Sequence, residues 1–288
     1  MAMDKEVYTI NCGGRLIDTR RPLVMGILNV TPDSFYDGGR YFGAADAIRM
    51  RADEIISQGG DIIDIGAYST RPGAEDVTAE EEWRRLAEAL QIVKKYHPEA
   101  IVSVDTFRGG IARRCVIEGG AHIINDISAY TMDSAMLQAV TELNVPYVLM
   151  HIKGTPKNMQ AAPHYAKRVT EEVIEFLSDR LSELSSRGVS DVIIDPGFGF
   201  GKTVDDNYQL MSDLSQFRTF KRPILVGISR KSMIYKVLNG SPDKSLNGTT
   251  VLNTMALLAG ADILRVHDVR ECVEAVRLVE MLNQNSGN

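Results

Sequence analysis

Short aliphatic runs alternate along this chain with longer stretches of helical period. The runs, rich in Val and Ile, lie at residues 23–30, 62–65, 101–104, 123–127, 147–150, 192–194, 224–228 and 263–266. Unbroken runs of this kind suit strands covered on both faces, as in a parallel sheet. Between them, residues 44–57, 79–95, 108–118, 134–143, 167–187, 204–216, 246–258 and 270–282 carry helical patterns. Eight strands alternating with eight helices predict an α/β fold, a single (β/α)8 (TIM) barrel. Gly59-Gly60, Gly119-Gly120, Gly188 and Gly260 each fall between a helix and the next strand, where a residue with positive φ stops a helix. Ahead of the first strand, residues 7–10 and 15–18 flank Asn11-Cys12-Gly13-Gly14. They read as a short β-hairpin, within about 6–18, that plugs the barrel from below. Residues 284–288 are expected to form a disordered tail. Length alone, at 288 residues, would allow two domains of about 150 residues each. The absence of a Pro/Ser-rich hinge and the eightfold alternation favour one domain.

Polar residues gather where the strands end, the face on which barrels carry their chemistry. Asn29 closes the first run and Thr31 to Gly39 follow it; Ser69-Thr70-Arg71-Pro72-Gly73 follow the second. The third ends at Asp105, the fourth contains Asn125-Asp126 and the fifth gives Met150-His151. The sixth leads into Asp195-Pro196-Gly197-Phe198-Gly199-Phe200-Gly201-Lys202, the seventh into Ser229-Arg230-Lys231, and the eighth carries Arg265-Val266-His267-Asp268. Any one of these alone reads as a cap or turn; their convergence points to a site. Asp105, Asn125, Asp195 and Lys231 suit the donor and acceptor edge of a flat, nitrogen-rich ring, since carboxylates accept N–H groups and an amide does both. Arg265 and His267, two apart, face the same side of the last strand and suit a phosphate, while Asn29 next to them offers an amide oxygen to a hard cation such as Mg²⁺. A phosphorylated heterocycle is the substrate class implied. His151 suits a loop anchor and a ligand contact equally; His97, His122 and His164 read as surface or structural.

Composition narrows the partners. Lys and Arg total 32 against 38 Asp and Glu, a net charge of −6, which disfavours a nucleic-acid surface but leaves room for a small cationic pocket. Three widely spaced cysteines, Cys12, Cys115 and Cys272, form neither a disulfide framework nor a zinc spacing, and a reducing cytoplasm is expected. Met1 to Glu6 hold no apolar leader, and no stretch approaches the roughly 18 apolar residues of a membrane span.

Five strings make the chain resemble a known family: Gly26-Ile27-Leu28-Asn29-Val30-Thr31-Pro32-Asp33-Ser34-Phe35, Ser69-Thr70-Arg71-Pro72-Gly73, Asp195-Pro196-Gly197-Phe198-Gly199-Phe200, Ser229-Arg230-Lys231 and Arg265-Val266-His267-Asp268. They look like dihydropteroate synthase, from about Leu23 to the last helix. The resemblance implies condensation of 6-hydroxymethyl-7,8-dihydropterin pyrophosphate with p-aminobenzoate to 7,8-dihydropteroate and pyrophosphate, with Mg²⁺, in a homodimer inhibited by sulfonamides. It assigns Asp105, Asn125, Asp195 and Lys231 to the pterin, with Met150, Ile127 and Gly227 as walls of its slot. Arg265, His267 and, through Mg²⁺, Asn29 would take the pyrophosphate. Thr70, Arg71, Pro72, Phe35, Phe200 and Ser229 would form the p-aminobenzoate pocket, and Asp37 would sit near the developing cation, with Lys231, Arg265 and His267 as its catalytic companions. The nearest rival is a pterin-binding methyltransferase domain acting with a corrinoid protein. Lys231, the Thr70-Arg71-Pro72 loop and the Arg265/His267 pair argue against it. A non-catalytic pterin-binding relative is the more distant rival.

Overall fold

A computed structural model describes residues 6–31, 43–68, 77–156, 158–159 and 163–285. Phe35, Asp37, Thr70, Arg71 and Pro72 lie outside the described residues. The first hairpin pairs β1 (Thr9–Cys12) with β2 (Arg15–Asp18) in antiparallel register. Its turn is only Gly13-Gly14, both at positive φ, the tight two-residue geometry that glycine pairs permit. The first strand therefore starts two residues later than the 7–10 expected from the pattern and takes in Asn11 and Cys12.

The barrel follows: β3 (Leu23–Asn29), α1 (Ala44–Ser57), β4 (Ile62–Gly66), α2 (Ala79–Tyr96), β5 (Ile101–Asp105), α3 (Gly109–Ile117), β6 (Ile123–Asp126), α4 (Ala135–Leu143), β7 (Tyr147–Met150), α5 (Val169–Ser186), β8 (Val192–Asp195), α6 (Val204–Ser212), β9 (Leu225–Val226), α7 (Ser232–Tyr235), α8 (Leu246–Leu258), β10 (Ile263–Val266) and α9 (Val269–Asn285). The strands run in the order β8-β7-β6-β5-β4-β3-β10-β9, all parallel, and an Ile194–Ile224 bridge joins the two edges. Gly59, Gly120, Gly188 and Gly260 have positive φ, as the helix-stop reading requires.

Side chains alternate across each strand. Val24, Ile63, Val104 and Leu264 belong to the large core between sheet and helices. Leu23, Ile62, Ile101, Ile123, Val148 and Ile193 point the other way and form an apolar floor inside the barrel, sealed from below by Ile10 and Cys12 of β1. The hairpin is thus the expected plug.

Three expectations need correction. The helix expected over 204–216 stops at Ser212, and a 3-10 segment spans Leu214–Phe220. Asp213 at the junction accepts hydrogen bonds from Thr170 and Arg168 at 2.8 Å each, while Leu214 and Phe217 turn into the core, so tertiary contacts end the helix. Of the strand expected over 224–228, the ladder holds only Leu225–Val226, with Ile224 as an isolated bridge to Ile194, because a turn bonding Lys231 N–H to the Ile228 carbonyl follows at once. The C-terminal helix runs through Asn285, into the expected tail; residues 286–288 are outside the described ones.

Candidate active site

The inward positions change from apolar to polar on going up the barrel. In β4 the sequence is Ile62, Asp64, Gly66; in β5 it is Ile101, Ser103, Asp105; in β10 it is Ile263, Arg265, with His267 just past its end. Asn29 and Gly66 are register partners, as are Gly66 and Asp105, and Asp105 and Asn125. The strand pairing alone therefore sets four consecutive ends side by side.

Bonds that cross the barrel interior complete the picture. Arg265 on β10 donates from Nε to Asp64 Oδ2 at 2.6 Å and from Nη2 to Asp105 Oδ2 at 2.8 Å. Asn125 Nδ2 donates to the same Asp64 oxygen at 3.1 Å, which turns its amide carbonyl and second N–H to other partners. Asp195 accepts the Gly197 amide at 2.7 Å. Lys231 donates to the Phe198 carbonyl at 2.6 Å and lies 4.6 Å from the Phe200 ring centre. A Cβ added at Gly227 would stand 3.7 Å from Arg265 Cβ and 3.9 Å from Lys231 Nζ, so this glycine sits between the two cations. Ile127 and Met150 share an apolar cluster with Phe107, Ile152 and Met159, against which Tyr68, Met132 and Phe200 pack. Beside that cluster opens a cavity of about 410 Å³ lined by Tyr68, Phe107, Arg108 and Met132 among others.

Burial sets the charge states. It pushes Asp105 up to about 7 against the pull of Arg265 and raises Asp195 against the pull of Lys231. It brings Lys231 down to about 8 although Asp195 favours the cation. Burial opposes the Arg265 charge as well, but Asp64 and Asp105 outweigh it and hold the guanidinium more firmly protonated than usual. Ser229 Oγ accepts from the His267 amide at 3.2 Å and lies 3.0 Å from Nδ1. If the hydroxyl donates to Nδ1, the ring proton sits on Nε2, leaving one N–H for an anion. Ser229 thereby ties the expected p-aminobenzoate group to the pyrophosphate group.

Burial, followed by Arg265, pushes His267 down to about 3. Between its unfolded value of about 6.5 and that figure, the unfolded chain binds a proton that the folded one refuses. Stability therefore falls as the pH is lowered through this window. A His267→Gln variant is expected to lose less thermal stability than the parent between about pH 7 and pH 4, measured by melting at each pH.

Of the residues expected from sequence, Asp105, Asn125, Asp195, Lys231, Arg265, His267, Asn29, Gly227, Ile127, Met150, Phe200 and Ser229 fall at this end of the barrel. Two others had no role assigned from the sequence. Asp64, fully buried, stands among isoleucines in Ile62-Ile63-Asp64-Ile65; an acid inside an apolar run was the available signal. Lys202, also buried, follows the Gly-Phe-Gly-Phe-Gly string. His151 is settled as an anchor: its imidazole is buried, edge-on to Phe176 at 5.1 Å, with Nδ1 2.9 Å from Lys202 Nζ. His97 meets Asp53 at 2.7 Å and His122 accepts the Val102 amide, both away from the site.

Among the described residues, no group of three His, Cys, Asp or Glu could hold a metal ion. The donor set fits Mg²⁺ nonetheless, because that ion is commonly held by one or two protein oxygens plus substrate phosphates. A Cβ at Gly66 would meet Asn29 Oδ1 at 3.5 Å and Asp105 Oδ2 at 3.6 Å; the glycine leaves these oxygens a shared cradle.

This parallel barrel, with its row of polar strand ends, a paired arginine and histidine and an apolar wall, belongs to the pterin-binding enzymes: the family model described as "Pterin binding enzyme" matches residues 25–267. The Escherichia coli K12 dihydropteroate synthase is 44% identical over 269 residues, covering 93% of this chain and 94% of that one. Among solved structures, the Yersinia pestis dihydropteroate synthase in complex with a sulfonamide drug superposes with a TM-score of 0.89 at 38% identity, covering 96% of this chain and 100% of the other. The Xanthomonas albilineans dihydropteroate synthase in complex with 7,8-dihydropteroate gives 0.83 at 36%, covering 96% and 98%. The chain belongs to the dihydropteroate synthase family, transferases of folate synthesis.

Proposed function

We propose that the protein condenses 6-hydroxymethyl-7,8-dihydropterin pyrophosphate with p-aminobenzoate, releasing 7,8-dihydropteroate and pyrophosphate. The observation that supports this most is the convergence of Asp105, Asn125, Asp195 and Lys231 with Arg265 and His267 at one end of the barrel. In this reading the first four hold the pterin edge, with Ile127, Met150 and Gly227 as walls. Arg265 and the neutral His267 receive the pyrophosphate and stabilise the charge that grows on it as the C–O bond breaks. The electron-rich ring delocalises the positive charge left on the exocyclic carbon, and the half-buried Asp105 and the buried Asp195 favour it. The neutral arylamine, placed by Phe200 and Ser229 with Phe35, Thr70, Arg71 and Pro72, then attacks that carbon and loses its proton. For Asp37, outside the described residues, the resemblance implies a role toward the same cation.

Asn29 would hold Mg²⁺, which would supply neutralisation of the charge on the leaving pyrophosphate. Sulfonamides would compete in the p-aminobenzoate pocket. The buried free cysteines fit a reducing cytoplasm, and no helix among the described residues is long and apolar enough to cross a membrane. The test is pyrophosphate release from the pterin pyrophosphate with Mg²⁺; release that depends on p-aminobenzoate supports the reading, and none from folded protein across several metals rejects it.

The homodimer is assigned to α8 and α9, which pack together. Met255 and Leu258 on α8 and Leu278 and Met281 on α9 are at least half exposed, an apolar patch of the kind that marks an interface. The double substitution Met255→Glu/Leu278→Glu is expected to give a monomer by light scattering where the parent is a dimer.

A further inference from the structure

Lys202 takes no part in the chemistry above, yet it is buried within the turn that carries Asp195 into Phe200. Gly197, Gly199 and Gly201 all have positive φ, so the turn curls on itself. It also lies hard against the chain leaving β7: a Cβ at Gly197 would come within 1.9 Å of the His151 carbonyl oxygen, and one at Gly201 within 2.2 Å of that of Lys153. The Lys202 ammonium sits inside the curl. It donates to the Gly197 carbonyl at 2.7 Å, to the Phe200 carbonyl at 3.2 Å and to His151 Nδ1 at 2.9 Å. When protonated, its three N–H donors meet three acceptors, although burial brings Lys202 down to about 7 against the pull of Asp195. The intervening Phe198 carbonyl turns the other way, to Lys231. Two lysines therefore grip one turn from opposite sides, and only one of them, Lys231, belongs to the pterin-reading row.

We propose that Lys202 is a positioning residue for this site: by gathering the Gly197 and Phe200 carbonyls onto His151, it fixes the Asp195 carboxylate, the carbonyl that orients Lys231, and the Phe200 ring. The inference rests on the functional reading given above. Independent bonds make the rest of the loop rigid without Lys202. Tyr165 donates to the Gly201 carbonyl at 2.8 Å, and Asn207 accepts the Gly199 amide at 2.7 Å. Loss of Lys202 is thus expected to disturb the half of the turn that faces the ligands. The imidazole of His151 is held neutral, well below its ordinary range, by burial and by Lys202 itself, which keeps Nδ1 an acceptor.

The experiment compares the parent with Lys202→Met, whose side chain keeps the volume and discards the donors. Folding is followed by circular dichroism, affinity for a non-reactive pterin by calorimetry, and kcat and KM by pyrophosphate release. The expected result is a folded protein whose pterin affinity falls by roughly 10-fold or more, the scale for losing a partner that orients ligand-binding groups, and whose KM for p-aminobenzoate rises. A purely structural lysine would lower the melting temperature and leave the affinity of the folded protein intact. An affinity within about threefold of the parent overturns the proposal. So does a Lys202→Met chain that does not fold, which would make Lys202 a determinant of the fold. A parent protein that neither binds the pterin nor releases pyrophosphate rejects the functional reading instead, and is told apart by that control.

Discussion

Lys231→Ala is expected to lower kcat/KM by at least about 100-fold, equivalent to about 2.7 kcal/mol of transition-state stabilisation, while melting no earlier than the parent. Asp195→Ala should behave alike. Asp195, buried at the end of β8, accepts the Gly197 amide, and Lys231, half-buried where α7 begins after β9, donates to the Phe198 carbonyl. Each is held in a charge state that burial opposes: Lys231 is brought down to about 8, and the Asp195 carboxyl is raised. A group kept charged against its surroundings costs stability in the empty protein, so removing it relieves desolvation at the expense of function. Activity and stability should therefore move in opposite directions, which a residue serving only the fold would not do. Steady-state kinetics and thermal melting on the same preparations provide the check. Full activity in purified Asp195→Ala would remove the pterin row from the mechanism.

The strand ends were legible because two regularities act together: the strand period of two and the location of barrel chemistry at one face. Arg265 and His267 were placed on one side by their spacing alone; the bonds of Arg265 to β4 and β5 turn that residue into the barrel. The hairpin plug was legible too, although Gly13-Gly14 makes a tighter turn than four residues suggested. Asp64 was not seen because the reading looked beyond each apolar run and Asp64 lies within one. Lys202 stands in the polar string after the sixth strand, but its role is not legible there, because its partners, His151 and two carbonyls of a glycine-rich turn, meet only once that turn has folded onto β7. Helix α6 ended early because Asp213 is held by Arg168 and Thr170 from α5 and its entry, contacts that no local propensity encodes. For Lys202 and α6 the missing information was a long-range partner; for Asp64 it was a charged residue inside an apolar run.

Asp64→Ala is expected to destabilise the protein by about 3–5 kcal/mol, the range for breaking a buried ion pair by removing one partner. The carboxylate is fully buried and one of its oxygens serves both Arg265 and Asn125. Its removal leaves the Arg265 guanidinium in the barrel with Asp105 as its remaining carboxylate, and it frees the Asn125 amide that the pterin edge must find in one orientation. The cost comes from the stranded cation, so removing both charges should be gentler than removing one. In urea denaturation at neutral pH, Asp64→Ala/Arg265→Met is therefore expected to be more stable than Asp64→Ala, with a coupling of about 1–3 kcal/mol. A double variant whose loss equals the sum of the two single losses would mean that Asp64 and Arg265 do not balance each other. Turnover should be lost in all three variants, since Arg265 without Asp64 keeps its charge but loses the Nε bond that aims it.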